Sequence, residues 1–317
     1  MATDITEHDL ILHADDGRGL AARLHAPVGE ARASVVIHGA TATPRRYYDR
    51  FARWLAEHGY RVLTYDYRGV GGSRRASLRD DDATARDWAE RDAVAAVRRL
   101  REDYPEAPIL MVGHSFGGQT LGLHDALHDV RAAVMVGVQF GYRGHWPTPA
   151  RAGLGAYWGA VFPAAIALYG YVPGWAGMRE DLPGGVAREW SRWCLSPHYL
   201  LDHVPGARER FARFTRPVLF YSFTDDTYAP LPAVRSYLSA LTHAPVTHRR
   251  LHPADVGGKA VGHFGFFRPE HADTLWPEVL TWFDDALAGR PSRVQATTPP
   301  HTLTEAEVTA DLSFGRD

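Results

Sequence analysis

Two short runs rich in apolar residues open the chain, over residues 9–13 and 20–25, and read as strands. They flank Asp15-Asp16-Gly17-Arg18-Gly19, and this order predicts a hairpin. The pattern then changes. Residues 34–37, Ser-Val-Val-Ile, form a run that ends in His38-Gly39 and predicts a buried strand. A helical period follows over residues 46–58, with Phe51, Trp54 and Leu55 on one face and Gly59 as the stop.

The alternation continues along the chain. Strands are predicted over residues 61–65, 109–112 and 132–138, and helices over 83–101 and 116–127. Later come strands over 218–222 and 246–251 and helices over 231–241 and 269–287. Buried strands alternating with helices specify a mainly parallel sheet covered on both faces.

Between residues 141 and 205 this rhythm is lost. That stretch predicts no clear strand and is crowded with aromatics, among them Tyr157, Trp158, Phe162, Trp175, Trp190 and Trp193. Residues 1–140 and 206–288 therefore read as one α/β core, and 141–205 as a mostly helical insertion. Residues 289–317, rich in Pro, Thr and charge, read as a flexible tail; Thr304 and Glu307 have capping-box spacing for one helical turn.

Composition narrows the function classes. The 317 residues carry a net charge of −2, which gives no long-range attraction for nucleic acid. Cys194 is the only cysteine, so no internal disulfide can form. The N-terminal residues carry Asp4, Glu7 and Asp9 and lack the basic-then-apolar pattern of a signal peptide, so a cytoplasmic location is expected. Residues 152–178 contain no charge and are long enough to cross a bilayer. Pro163 and Pro173 should interrupt them, so a lid over an apolar pocket is expected rather than a membrane span.

The chemistry centres on Gly113-His114-Ser115-Phe116-Gly117, a G-x-S-x-G motif between a predicted strand and a predicted helix. A serine on such a strained turn needs small neighbours. Its oxyanion hole needs two backbone N–H groups: Phe116 supplies one, and the other is expected from Ala40, with Thr41 as the alternative. Serine also needs a base in contact. Among 17 histidines, His263 stands out, in the glycine-rich loop after the last strand; His252 and His271 are the other candidates. The orienting acid should follow strand 218–222, where Asp225 and Asp226 are both possible; the spacing to Pro230 favours Asp226.

Taken together, His38-Gly39, Asp66-Tyr67-Arg68-Gly69, Gly113-His114-Ser115-Phe116-Gly117-Gly118, Asp226 and His263 resemble the α/β-hydrolase superfamily, in its order Ser, Asp, His. The resemblance spans about residues 5–288. Gly170-Tyr171-Val172-Pro173-Gly174 and Glu189-Trp190-Ser191-Arg192-Trp193-Cys194 look like a bacterial subgroup of hydrolases with no clear assigned substrate. It implies the α/β-hydrolase fold and a serine hydrolase acting on a carboxylic ester or related acyl bond of a small apolar molecule, without a cofactor. Thioesterase, amidase and acyltransferase chemistry would use the same residues. A non-catalytic ligand-binding member of the fold is the other class. Trp158, Trp190 and Trp193 are the expected pocket aromatics. His124 and His128, four apart, have metal-ligand spacing but lie away from Ser115, and no metal site is expected there.

Overall fold

A computed structural model describes residues 3–75 and 77–297. Its centre is an eight-stranded sheet in the order β1-β2-β4-β3-β5-β6-β9-β10. The strands are β1 (Ile5–His13), β2 (Gly19–Pro27), β3 (Ser34–His38), β4 (Arg61–Tyr65), β5 (Ile109–His114), β6 (Ala132–Val136), β9 (Val218–Phe223) and β10 (Val246–Leu251). A separate two-stranded ribbon joins β7 (Tyr171–Val172) to β8 (Leu182–Pro183). From β4 to β10 the main sheet is parallel, and only the β1–β2 and β2–β4 pairings are antiparallel. This is the mainly parallel sheet that the alternating pattern predicts, in the α/β-hydrolase arrangement that the resemblance implies.

The central strands are buried on both faces. Alternate residues of β3 and β5 feed two separate cores, Val36 and Met111 on one face, Val35, Ile37, Leu110 and Val112 on the other. Each core is roofed by helices, so every side chain of β3 and β5 leaves water. That double coverage is why these strands read as uninterrupted apolar runs.

Three helices differ from the pattern. The one after Ser115 is expected over residues 116–127, but its regular part is only Phe116–Gln119, followed by tighter turns. Gly117, Gly118 and Gly122 weaken it, and a Cβ at Gly122 would lie 2.0 Å from the Phe211 ring. The last helix begins at Trp276, not near 269, because Pro277 fits only the first turn. In the insertion, Pro163 does not stop the helix. Thr148–Tyr169 is continuous, and a wide turn at Tyr157–Val161 absorbs the missing N–H.

That helix is long and apolar enough to cross a membrane by length and composition, and most of it is exposed to solvent here. The insertion also contains the β7–β8 ribbon, which the sequence pattern does not predict because two-residue strands carry no period. Residues 289–297, expected to be part of a flexible tail, run along β10. Thr297 N–H donates to His248 C=O and Arg250 N–H to Thr297 Oγ1, while Arg293 pairs with Asp285. The turn expected after Thr304 lies outside the described residues.

Candidate active site

The parallel strands end at one edge of the sheet, and the candidate residues gather there. Ser115 follows β5 and precedes Phe116–Gln119 with φ 51° and ψ −116°. That backbone is strained for a residue with a Cβ and persists because the turn is held on both sides. Ser115 N–H donates to Val136 C=O on β6. Gly117 has to be glycine, since a Cβ there would lie 2.0 Å from the His38 carbonyl oxygen.

His263 and Asp226 meet across two loops. His263 Nδ1 lies 2.8 Å from Asp226 Oδ2, and both side chains are buried. The carboxylate can only accept, so Nδ1 carries the proton and Nε2 keeps its lone pair. The second oxygen, Asp226 Oδ1, accepts from Tyr228 and Ala229 N–H at 2.9 and 3.0 Å, which fixes the carboxylate. Asp225 turns elsewhere: its Oδ2 accepts from Val261 and Gly262 N–H at 2.9 and 3.0 Å, clamping the loop that carries His263.

The other two histidines stand apart. His252 is exposed and accepts the Ala254 N–H, capping a turn. His271 is buried beneath the Ala260 carbonyl. His124 and His128 are tied to Ala126 N–H and Leu121 C=O, and among the described residues no cluster of three or more His, Cys, Asp or Glu could hold a metal.

Ser115 and His263 line one tight cavity of about 80 Å³. Thr41, Ala40 and Gln139 close its polar side, and Met178, Trp190, Tyr228 and Phe264 form apolar walls. A larger hollow of about 490 Å³ lies between Pro217, Pro245, Trp282 and the segment 290–296, and none of the candidate catalytic residues lines it. Volume alone therefore does not select the site; chemistry does.

Two expectations need correction. Ala40 N–H donates to Tyr48 Oη at 2.8 Å, so it is already committed. Thr41 N–H has no acceptor among the described residues, and Thr41 lines the cavity, which makes it the freer donor. Phe116 is the first residue of its helix, where an N–H has no partner within the helix. Of the three tryptophans, only Trp190 lines the cavity. Trp158 packs behind it with ring centroids 4.6 Å apart, and Trp193 is fully buried against Tyr199. Those two anchor the insertion, a role the aromatic count could not distinguish from pocket lining.

The sequence reading missed a buried brace. Burial holds His114 well below the usual imidazole range, so it is neutral. Its Nε2 lies 2.9 Å from the His263 carbonyl, which can only accept, so Nε2 bears the proton. Its Nδ1 then accepts from Tyr48 Oη at 2.9 Å, and Tyr48 Oη in turn accepts Ala40 N–H. A single chain of hydrogen bonds links the loop after β3, the turn after β5 and the loop carrying His263. A histidine at the second motif position was the available signal.

The comparisons agree with this architecture. The model of the alpha/beta hydrolase family matches residues 35–274. The chain belongs to the α/β-hydrolase family. It is similar to monoglyceride lipase of Rattus norvegicus, 33% identical over 104 residues, 32% of this chain and 33% of the relative. The human monoglyceride lipase is 32% identical over the same length. This α/β hydrolase thus spans about a third of the length of the curated relatives it matches.

Solved structures extend the likeness in fold. A lipase in its open form matches with TM-score 0.61 and 15% identity, covering 89% of this chain and 99% of that one. The Pyrococcus furiosus esterase Pf2001 matches with TM-score 0.56 and 14% identity, covering 90% and 92%. At these identities the likeness is one of fold.

Proposed function

We propose that this protein hydrolyses a carboxylic ester of a small molecule through an acyl-Ser115 intermediate, with His263 as base and Asp226 as its orienting acid. The observation that carries this is the His263 Nδ1–Asp226 Oδ2 bond of 2.8 Å beside a strained Ser115 in the same cavity. With Nδ1 protonated, Nε2 takes the Ser115 hydroxyl proton as Oγ bonds to the ester carbonyl carbon. The carbonyl oxygen becomes an oxyanion that Phe116 and Thr41 N–H receive. His263 then gives the proton to the departing alcohol oxygen as the C–O bond breaks. Water, deprotonated by the same nitrogen, cleaves the acyl-serine and restores Oγ–H. Met178, Trp190 and Phe264 favour an apolar acyl or alcohol portion next to the reacting bond.

The test is labelling with an active-site phosphonate. Wild-type protein should gain one adduct at Ser115, and Ser115→Ala should gain none while keeping its circular-dichroism spectrum. Turnover of short acyl esters should fall about 10⁴-fold or more in that variant, because residues of such a set act as a unit. Near-normal turnover without the hydroxyl would rule out Ser115 as nucleophile, and a wild-type protein that takes no phosphonate and turns over no ester would be a non-catalytic, ligand-binding member of the fold.

A further inference from the structure

The cavity beside Ser115 has one permanently charged side chain on its rim, Arg179. Its guanidinium lies over the Tyr47 ring at 4.5 Å and the Phe264 ring at 4.7 Å. Tyr47 Oη donates to the Phe264 carbonyl and the two rings meet edge to face at 89°, so they form a fixed corner around the guanidinium. Aromatic rings hold the cation through their faces without taking up its full set of N–H donors, which leaves donors for a ligand.

No carboxylate neutralises this cation among the described residues. Glu180, its neighbour in sequence, is taken by Arg46 at 2.8 Å and by Gly71 N–H at 2.9 Å. Asp181 is taken by Arg74 and Gly174 N–H. Asp226 is turned to His263 and to its own loop. Most other arginines that pack near acids form ion pairs here, as Arg45, Arg68, Arg74 and Arg249 do. Arg179 is a guanidinium held in place by aromatic faces, unpaired, at the rim of a cavity that contains a nucleophile.

We infer that the substrate carries a carboxylate, which Arg179 receives while Ser115 attacks the ester; this rests on the hydrolase reading of the site. The apolar walls take the carbon skeleton between the two groups. Arg179 is thus a specificity residue: it touches the substrate away from the reacting bond and selects a charged acid ester over its neutral isostere. Because the rim is exposed, the attraction is screened by salt.

Two matched pairs of esters test this. One pair places the charge on the acyl side, the p-nitrophenyl monoester of glutaric acid against p-nitrophenyl pentanoate. The other places it on the leaving group, 4-acetoxybenzoate against 4-acetoxybenzamide. In at least one pair, kcat/KM should favour the carboxylate about tenfold at low salt, and the ratio should shrink at about 0.5 M NaCl. Arg179→Lys should keep a preference of the same sign. Arg179→Met should bring the ratio near one, and Arg179→Glu should invert it. If the wild-type enzyme hydrolyses the neutral esters without preferring either carboxylate, or if Arg179→Met keeps the preference, the inference is overturned and hydrolysis stands. If no ester is turned over and Ser115 takes no phosphonate, the hydrolase reading itself falls and this inference with it.

Discussion

Asp225 and Asp226 are adjacent, yet their carboxylates do different work. Asp226 faces the His263 ring, whereas Asp225 holds the backbone of the His263 loop by two N–H groups. Asp226→Asn should therefore cost turnover about 10³–10⁴-fold, since the amide favours the wrong imidazole tautomer. Asp225→Asn keeps one carbonyl oxygen able to accept from Val261 and Gly262. It should lose about tenfold or less and should lower thermal stability, because a charge-assisted pair of bonds is weakened. Side-by-side steady-state kinetics of the two variants check this; equal losses would mean the two carboxylates share one role. The sequence pointed to Asp226 by spacing alone. The loop-clamping role of Asp225 was illegible there, because it depends on backbone groups 36 and 37 residues away. Ala40 was misread for a related reason: motif position suggests which N–H lies near the serine, but only coordinates show that Tyr48 has already claimed it.

At the scale of elements, the order of strands and helices was legible because each central strand is buried on both faces and the helices that cover the sheet bury one. Boundaries failed where glycine or proline acts against the period, as at Gly122, Pro163 and Pro277. The insertion was legible as an interruption but not as a structure. Its tryptophans are alike in sequence, and packing alone separates Trp190 in the cavity from Trp193 in the core. The brace joining three loops through Tyr48 and His114 carries its own expectation. Tyr48→Phe strands two buried partners, Ala40 N–H and His114 Nδ1. It should lower unfolding stability by about 1–3 kcal/mol, measured from the urea midpoint. An unchanged midpoint would mean that water or a shifted backbone replaces the hydroxyl.

At the scale of the whole molecule, several histidines are buried as neutral rings, and this couples stability to pH. Burial lowers His38 to about 3 and His248 to about 4, and pushes His114 well down as well. His38 and His114 end the central strands β3 and β5, and His248 lies within the edge strand β10. Their rings are bonded as neutral partners, His38 to Tyr65 at 2.6 Å and His248 to Ser222 at 2.8 Å. In the unfolded chain each titrates near the ordinary imidazole value of about 6.5. Above that value neither state binds the proton, and the stability is fully present. As pH falls below about 6.5, the unfolded chain takes up protons that the folded chain refuses until its own lowered values are reached. Stability therefore declines on the acid side at up to about 1.4 kcal/mol per pH unit for each such ring. Denaturant unfolding at pH 7.5, 6.0 and 5.0 should show a midpoint that drops steadily with acid. His248→Gln keeps a polar partner for Ser222 and removes one titrating ring, so its midpoint should fall less steeply over the same range. Equal slopes for the variant and the wild type would show that the His248 ring is protonated in the folded state and that its burial sets no acid limit.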